Sequence, residues 1–248
     1  MTLEAKSTNY LNPKVFYGTF LKWLPRLEPF TSGVGRPASM DADHFVMAAR
    51  IQYGSALRIS EDLRLVRKDF DLNHRILTLH NTKTGWYFCK CVEFVKPMDY
   101  MQTRRKQISK TDENCVKCKG TGKISTLQKT TILPYDVEPI EKFLEQHSKD
   151  EVLFKTSRQT MWNYYKDVSR LADLNIFEAK DIINIDGAWT HLLRSSCAKM
   201  YEDLGAKESM IARKLRHTSG SVTSRYTKID IGALLDWEDE HLQEIPKI

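Results

Sequence analysis

No run of about 18 consecutive apolar residues occurs in this chain, so the sequence offers no membrane-spanning helix. Its first residues, MTLEAKSTNY, lack the apolar core of a secretory signal. The expectation is a protein that stays inside the cell, in the cytoplasm, with no membrane partner. Internal repeats are absent, and no low-complexity tract stands out beyond one basic stretch. Cysteine is sparse: five in 248 residues, four of them gathered as Cys89, Cys91, Cys115 and Cys118, with Cys197 apart. That usage excludes a secreted disulfide framework and leaves one cluster and one bystander.

What is present is ordinary for a folded domain: 41% apolar and 28% charged residues. The length suffices for one large domain, or a domain with an appendage, to bury a real core. A formal charge of +6 and a pI near 8.9 lean toward a polyanionic partner. Charge alone does not separate DNA from RNA or an acidic membrane.

Helical recurrence opens the chain, with Val15, Phe16, Phe20, Trp23 and Leu24 spaced through residues 12–27. TSGVGRP at residues 31–37 reads as a flexible joint. A helix with Phe45, Val46, Ala49 and Tyr53 on one face follows, capped by Asp41 or Ser39, and Ser60 is placed to open another. The period then changes from helical to alternating. RILTLHNTKTGWYFCKCVEFV predicts a β-hairpin turning at residues 81–85, with Lys83 at its tip. Residues 96–129 lack an apolar period and read as a basic insertion. Helical spacing resumes with Ile140, Phe143 and Leu144, then with Met161, Tyr164, Tyr165, Val168 and Leu171, separated by a short strand at 152–154. From His191 to Leu204, Leu193, Cys197, Met200 and Leu204 share one face, while His191 and Arg194 share another. Helices are predicted over 207–215 and 221–228, and an amphipathic acidic tail runs from 231 to 245.

Four stretches carry a resemblance: GSALRISEDLRL, the turn NTKTG, THLLRSSCAKMYEDLG and KLRHTSGSVTSRY. In this order and at these separations they resemble the boxes of the tyrosine recombinase and phage integrase family, from about Met40 to Tyr226. The family's G-x-R-x-S-E box is matched by Arg58, Ser60 and Glu61, with Ala56 where glycine is usual. Its hairpin lysine is matched by Lys83, its H-x-x-R box by His191 and Arg194, and its helix-ending glycine by Gly205. Its final L-G-H box and the tyrosine nine residues later are matched by Leu215, His217 and Tyr226, with Arg216 in place of the glycine. The resemblance implies a mainly α catalytic domain with a small antiparallel β-hairpin sheet, the DNA breaking-rejoining fold. The family's helical N-terminal DNA clamp has no counterpart before Met40, so the chain is expected to be a catalytic-domain fragment or a minimal enzyme.

These residue types suit attack on a phosphodiester. A tyrosine of pKa near 10 is phenolate in only about one molecule in a thousand at neutral pH, so it needs help losing its proton. The phosphodiester repels an oxyanion and gains charge on its nonbridging oxygens. Arg58 and Arg194 can clamp those oxygens bidentately without deprotonating. His191 suits a proton acceptor or phosphate partner, and His217 a hydrogen-bond donor to phosphate. By the resemblance, Lys83 protonates the leaving 5′ oxygen from the minor groove, and Tyr226 carries a 3′-phosphotyrosyl bond. One ester replaces another, so neither ATP nor a catalytic metal is required. Two-site recombination in the family implies double-stranded DNA and a homo-tetramer as partners, with the acidic tail a candidate for exchange between protomers. A type IB topoisomerase is the nearest alternative, and an inactive DNA-binding regulator on the same fold is another. For the acid and the nucleophile, Lys90 and Tyr201 are alternative candidates.

C-x-C at Cys89 and Cys91 with C-x-x-C at Cys115 and Cys118 supplies four thiolates suited to tetrahedral structural zinc, worth about 10–16 kcal/mol in small peptides. Four reduced, unligated thiols, two of them on an alternating strand, are the plain alternative. The surrounding Arg104, Arg105, Lys106, Lys110, Lys117, Lys119 and Lys123 then serve either phosphates or solvent. The organisation read from sequence is an N-terminal helical arm and linker at 1–37, a catalytic domain at 38–230 carrying the basic insert 89–129, and a tail at 231–248.

Overall fold

The computed structural model describes residues 10–26, 40–80, 86–94, 108–125, 127–171, 185–217 and 230–246. The chain divides into two compact units: Met1–Thr78 with Lys129–Ile248, and Leu79–Gln128. The sequence-predicted joint at 31–37 and helix at 221–228 lie outside the described residues. Among the described residues, no helix is long and apolar enough to cross a membrane.

The first unit is helical because its apolar residues recur at helical spacing between good caps. Asn12 accepts from the Val15 amide at 2.8 Å and Pro13 occupies the first helical position. A continuous run follows: α1 (Pro13–Val15), a π-helical turn (Phe16–Phe20), α2 (Leu21–Trp23) and a 3-10 turn (Leu24–Arg26). Phe16, Phe20 and Leu24 are fully buried along one side of it. Phe16 stacks on Tyr53 of α3 (Ala42–Gly54) with ring centroids 4.0 Å apart. Asp41 caps α3, accepting from the His44 amide at 2.9 Å. Phe45 of α3 stacks on Tyr164 of α6 (Arg158–Leu171) at 3.8 Å, and Met161, Tyr165 and Val168 are buried beside it, as their period predicts. Each such side chain taken from water contributes about 1.5–3 kcal/mol.

The one-turn α4 (Ile59–Asp62), α5 (Val137–Leu144), the long α7 (Ile185–Asp203), α8 (Glu208–Lys214) and α9 (Ile231–His241) complete the helices of this unit. The acidic tail docks on its own unit through α9. Leu234 and Leu242 are fully buried, and Trp237 stacks on Tyr201 of α7 at 5.0 Å.

The strands are antiparallel, as expected, but their pairing is not a single hairpin across residues 81–85. β1 (Phe70–Asp71), β2 (Ile76–Leu79) and β7 (Gln128–Thr131) form one sheet in the order β1-β2-β7. Both edges of β2 are thereby filled, and β3 (Trp86–Phe88) pairs instead with β6 (Lys123–Ser125). β4 (Val92–Phe94) pairs with β5 (Ile108–Thr111), so the stretch read as a basic insertion without an apolar period contributes strands. The strand predicted at 152–154 reduces to one bridge, Val66 with Val152, because Leu153 and Phe154 turn into the helical core.

The second unit has little apolar interior among its described residues. Cys89, Val92 and Cys118 form its buried cluster, with Cys91 and Cys115 packed against them.

Candidate active site

Three helices of the first unit end in the same way, and two of these endings are followed by a candidate site residue, Arg58 after α3 and His217 after α8. At the end of α3 the Leu57 amide reaches back to Gln52 O at 3.0 Å and the Ala56 amide to Tyr53 O at 3.2 Å. At the end of α7 the pairs are Ala206 with Tyr201 O and Gly205 with Glu202 O, both at 2.9 Å. At the end of α8 they are His217 with Ala212 O at 2.9 Å and Arg216 with Arg213 O at 3.0 Å. This doubled bonding is the Schellman helix stop, which needs a left-handed residue, usually glycine. The left-handed residues are Ala56 (φ 50), Gly205 (φ 79) and Arg216 (φ 54). Two of the three positions where family glycines fall therefore keep the glycine backbone without glycine, at roughly 1–2 kcal/mol each.

The turn at Ala56 delivers Arg58 to the N-cap of α4, where Glu61 holds it. Glu61 accepts from the Arg58 amide at 2.9 Å and from Arg58 Nη1 at 2.7 Å. The other side of this carboxylate receives Arg216 Nη2 at 2.7 Å. Burial pulls the Glu61 carboxyl up, but Arg216 and the hydrogen bonds from Arg58 outweigh it and hold it below the usual glutamate range. Ser60, expected to open this helix, is exposed on it, and the N-cap is Arg58.

Arg194 departs from its expected place. Helical spacing put it with His191 on a face apart from the packing residues, whereas its residue is 5% exposed and its guanidinium donates to the carbonyls of Ala56 and Leu215. Those two carbonyls flank the left-handed turns, which is why a charged residue three positions from exposed His191 turns inward. Burial and the neighbouring Arg216 and Arg58 draw its pKa down to about 10, which still leaves it charged at neutral pH.

His191 and His217 are both exposed and bracket this group. Burial, then the charges of Arg194, Arg158 and Arg58, hold His191 below the ordinary histidine value of 6.5. Burial, then Arg194, Arg58 and Arg216, do the same for His217. Both imidazoles thus favour the neutral form at pH 7 while facing cations. Arg58, His191, Arg194 and His217 are gathered; Lys83 and Tyr226 lie outside the described residues.

Tyr201, the alternative nucleophile, is fully buried and donates its hydroxyl to Glu238, which with burial pushes its pKa well above 10. That excludes it from attack. Sequence reasoning assigned no role to Glu61 and missed Arg158, an exposed cation at the start of α6 that acts on His191. Glu61 was legible as a capping-box residue three positions after Arg58; Arg158 left no local signal.

A family model described as the phage integrase family matches residues 39–231. The chain belongs to the phage integrase family. No curated protein matches it. Among solved structures, the Tn1549 transposon integrase (residues 82–397), solved in complex with circular-intermediate DNA, is similar at 12% identity, covering 96% of this chain and 67% of that one with a TM-score of 0.48. Family membership accounts for the order of the boxes and for glycine-type turns before Arg58 and His217. Arg216 is this chain's own departure from the family box.

The four grouped cysteines of the second unit come together. Their Sγ atoms all lie within 4.8 Å of one another, with Cys89–Cys115 at 3.7 Å and Cys91–Cys118 at 3.5 Å. A tetrahedron of thiolates about 2.3 Å from zinc has edges of about 3.8 Å, so the donor set fits a metal of that kind. The Cys118 and Lys117 amides point at Cys115 Sγ and pull its pKa down to about 7. Left-handed Lys119, Gly120 and Gly122 wrap the chain around it, and a side chain on Gly120 would lie 2.8 Å from Glu113 O. Cys197 is buried in the first unit and takes no part. Lys110, Lys117, Lys119 and Lys123 are exposed on the cysteine unit, as is Lys90; Arg104, Arg105 and Lys106 lie outside the described residues.

Proposed function

We propose that this integrase-family chain is a site-specific DNA recombinase that cleaves and rejoins double-stranded DNA through a 3′-phosphotyrosyl intermediate on Tyr226. One observation carries the reading. Arg58 and Arg216 donate to the carboxylate of Glu61, while Arg194, held beside them on the Ala56 and Leu215 carbonyls, has no carboxylate hydrogen-bond partner among the described residues. Among those residues the cations of this group therefore outnumber its charged acid, with His191 and His217 exposed nearby. A packing cluster balances its charge; a site for a phosphodiester does not.

Arg58, 18% exposed at its side chain, and the remaining donors of Arg194 take the nonbridging oxygens of the scissile phosphate. His191, kept neutral, accepts the Tyr226 proton, directly or through water, as the phenolic oxygen attacks phosphorus. His217 steadies the charge on the phosphoryl oxygens. Lys83 gives a proton to the departing 5′ oxygen, and rejoining reverses each transfer. No step requires ATP or a catalytic metal.

The protein acts as a homo-tetramer across two DNA sites, and α9 is the candidate for exchange between protomers. Because α9 fills a buried slot in its own unit, exchange requires a neighbour's α9 to refill it. Recombination surviving truncation after Asp230 would sink that part of the reading.

The cysteine cluster holds structural zinc, which orders a unit whose described interior is mostly sulfur. Bound zinc near one equivalent, lost together with protease resistance of the unit in Cys115→Ser, is the expected result. A zinc-free, equally resistant wild type would end the assignment.

The main test is a nicked suicide DNA duplex in a buffer without divalent cations. Wild type is expected to form a protease-sensitive covalent adduct, and Tyr226→Phe none. An adduct surviving that substitution moves the nucleophile elsewhere. No adduct from wild type favours an inactive regulator, and relaxation of plasmid lacking paired sites favours a topoisomerase.

A further inference from the structure

We propose that Arg216 is a positioning residue for strand cleavage: a buried guanidinium strut that neutralises Glu61 and so leaves the charge of Arg58 available to the phosphate. This rests on the reading of the site as a phosphodiester-cleaving centre and adds a member that none of the family boxes supplies.

Arg216 is an unlikely residue for its backbone. A left-handed helix stop favours glycine, and a side chain there is tolerated only when the surroundings hold it. Its residue is 5% exposed and its side chain 1%, so it has no surface from which to reach DNA. The guanidinium turns inward and is held through both terminal nitrogens, while its Nε has no hydrogen-bond partner among the described residues. Nη2 donates to Glu61 Oε2 at 2.7 Å and to Ala56 O at 3.1 Å; Nη1 donates to Ser55 O and Lys214 O, each at 3.2 Å.

These partners tie together the groups proposed to act on phosphate. Glu61, gripped by Arg216, is the residue that orients Arg58. Ala56 O, shared by Arg216, is also an anchor of Arg194. His217 is the next residue in the chain, immediately after the turn whose geometry the strut fixes. One side chain therefore links Arg58, Arg194 and His217 without touching substrate.

Without Arg216, Glu61 and Arg58 form a one-to-one ion pair, and the carboxylate cancels the cation intended for phosphate. With it, Glu61 is satisfied from the far side and the excess charge stays at the open face. The other non-glycine stop, Ala56, is where the strut lands, so the two departures from the family pattern are in direct contact.

The test uses the full chain on the suicide duplex, with single-turnover cleavage rate, DNA affinity and thermal midpoint measured for Arg216→Gly and Arg216→Gln. Glycine suits the backbone and removes the strut; glutamine keeps an amide donor and removes the charge. Both are expected to cleave about 10- to 1,000-fold more slowly per folded molecule, the range for losing a preorganised charge partner, with DNA Kd within about threefold of wild type. Adding Glu61→Gln to Arg216→Gln is expected to be strongly non-additive, because the two residues act through one contact. Wild-type cleavage by either folded variant overturns the proposal, as does a loss confined to DNA affinity or an additive double variant. If Arg216→Gly does not fold, Arg216→Gln decides alone. A wild type that forms no adduct defeats the recombinase reading instead, so the two failures are distinguishable.

Discussion

Two buried carboxylates in the helical unit are each met by two cations, and they end up as opposite kinds of centre. Glu238 of α9 is wholly buried and accepts from the hydroxyls of Thr131 and Tyr201 and from Lys214 Nζ at 3.0 Å, with Arg75 Nη1 at 3.6 Å. Lys214 is itself buried and also donates to Thr131 O at 3.1 Å and Thr131 Oγ1 at 2.7 Å. Its three protons are matched by three acceptors, and the two cations are balanced by Glu238 and Asp239, although Glu238 Oε2 has no hydrogen-bond partner among the described residues and meets only Arg75. Glu61 is met by Arg58 and Arg216, with Arg194 beside them, and the cations outnumber the acids at a face open to solvent. A matched, sealed centre holds a fold together. An over-supplied, half-open one suits the proposed role of receiving an anion from outside.

The placement sharpens the contrast. Lys214 lies three residues before His217, and Glu238 twelve residues after Tyr226, so the Glu238 centre anchors the chain on both sides of residues 218–229.

The largest expected effect comes from breaking the sealed centre. Glu238→Ala strands Lys214, and removing one partner of a buried pair costs about 3–5 kcal/mol. At about 2–4 °C per kcal/mol for a chain of this size, calorimetry should show a fall of about 6–20 °C in thermal midpoint. Single-turnover cleavage by the folded fraction should remain close to wild type; a stable variant with lost chemistry would reverse the roles assigned to the two centres.

Next is Arg58→Ala. Cleavage is expected to drop about 100- to 1,000-fold, while the midpoint moves by only a few degrees, since the side chain is partly exposed and its loss strands no fully buried charge. A collapse in stability comparable to Glu238→Ala would make Arg58 a structural ion pair and abolish the distinction.

The pH dependence separates the centres more finely. His191 acts neutral and its pKa lies below 6.5, so activity falls as pH drops through that lowered value. The acid limb of kcat/KM for wild type should lie below pH 6.5, and it should move upward in Arg58→Ala, which removes one of the cations depressing it. A limb unmoved by that substitution would mean that Arg58 does not act on the imidazole.

The smallest effect concerns Asp62, a third carboxyl adjacent to Glu61 in the chain. It is fully buried, both of its oxygens lack a hydrogen-bond partner among the described residues, and burial followed by the Glu61 charge pushes its pKa well above 3.8. Its folded form binds the proton more tightly than the unfolded form, so its contribution to stability declines as pH rises above 3.8. Asp62→Asn should raise the midpoint by a few degrees, more at pH 8 than at pH 5. A destabilised variant at pH 8 would point to a partner for this carboxylate.

Local pattern carried much of this molecule. The helices around Phe45, Met161 and Cys197 follow their apolar spacing, and the left-handed stops coincide with Ala56, Gly205 and Arg216, where the family boxes expect glycine. What local pattern did not carry depends on partners distant in sequence. Arg194 is spaced like a solvent-facing residue, yet its Ala56 anchor lies 138 residues away. Glu238 sits in a run of acids that reads as a wet face, and only the arrival of Thr131, 107 residues earlier, makes it interior. The hairpin expected at residues 81–85 was assigned from alternation, which says which face a residue takes but not which strand it meets. The cysteines were legible as a set because C-x-C and C-x-x-C bring donors close before any tertiary contact is known.

What Arg58 and Arg194 are proposed to do, with Arg216 holding Glu61 behind them, is neutralise a phosphate. That role is tested most directly by giving Arg58→Ala a suicide duplex whose scissile phosphate is a methylphosphonate, which lacks one charged oxygen. This substrate is expected to restore much of the roughly 100- to 1,000-fold lost on the ordinary phosphodiester. Equal impairment on both substrates would contradict it.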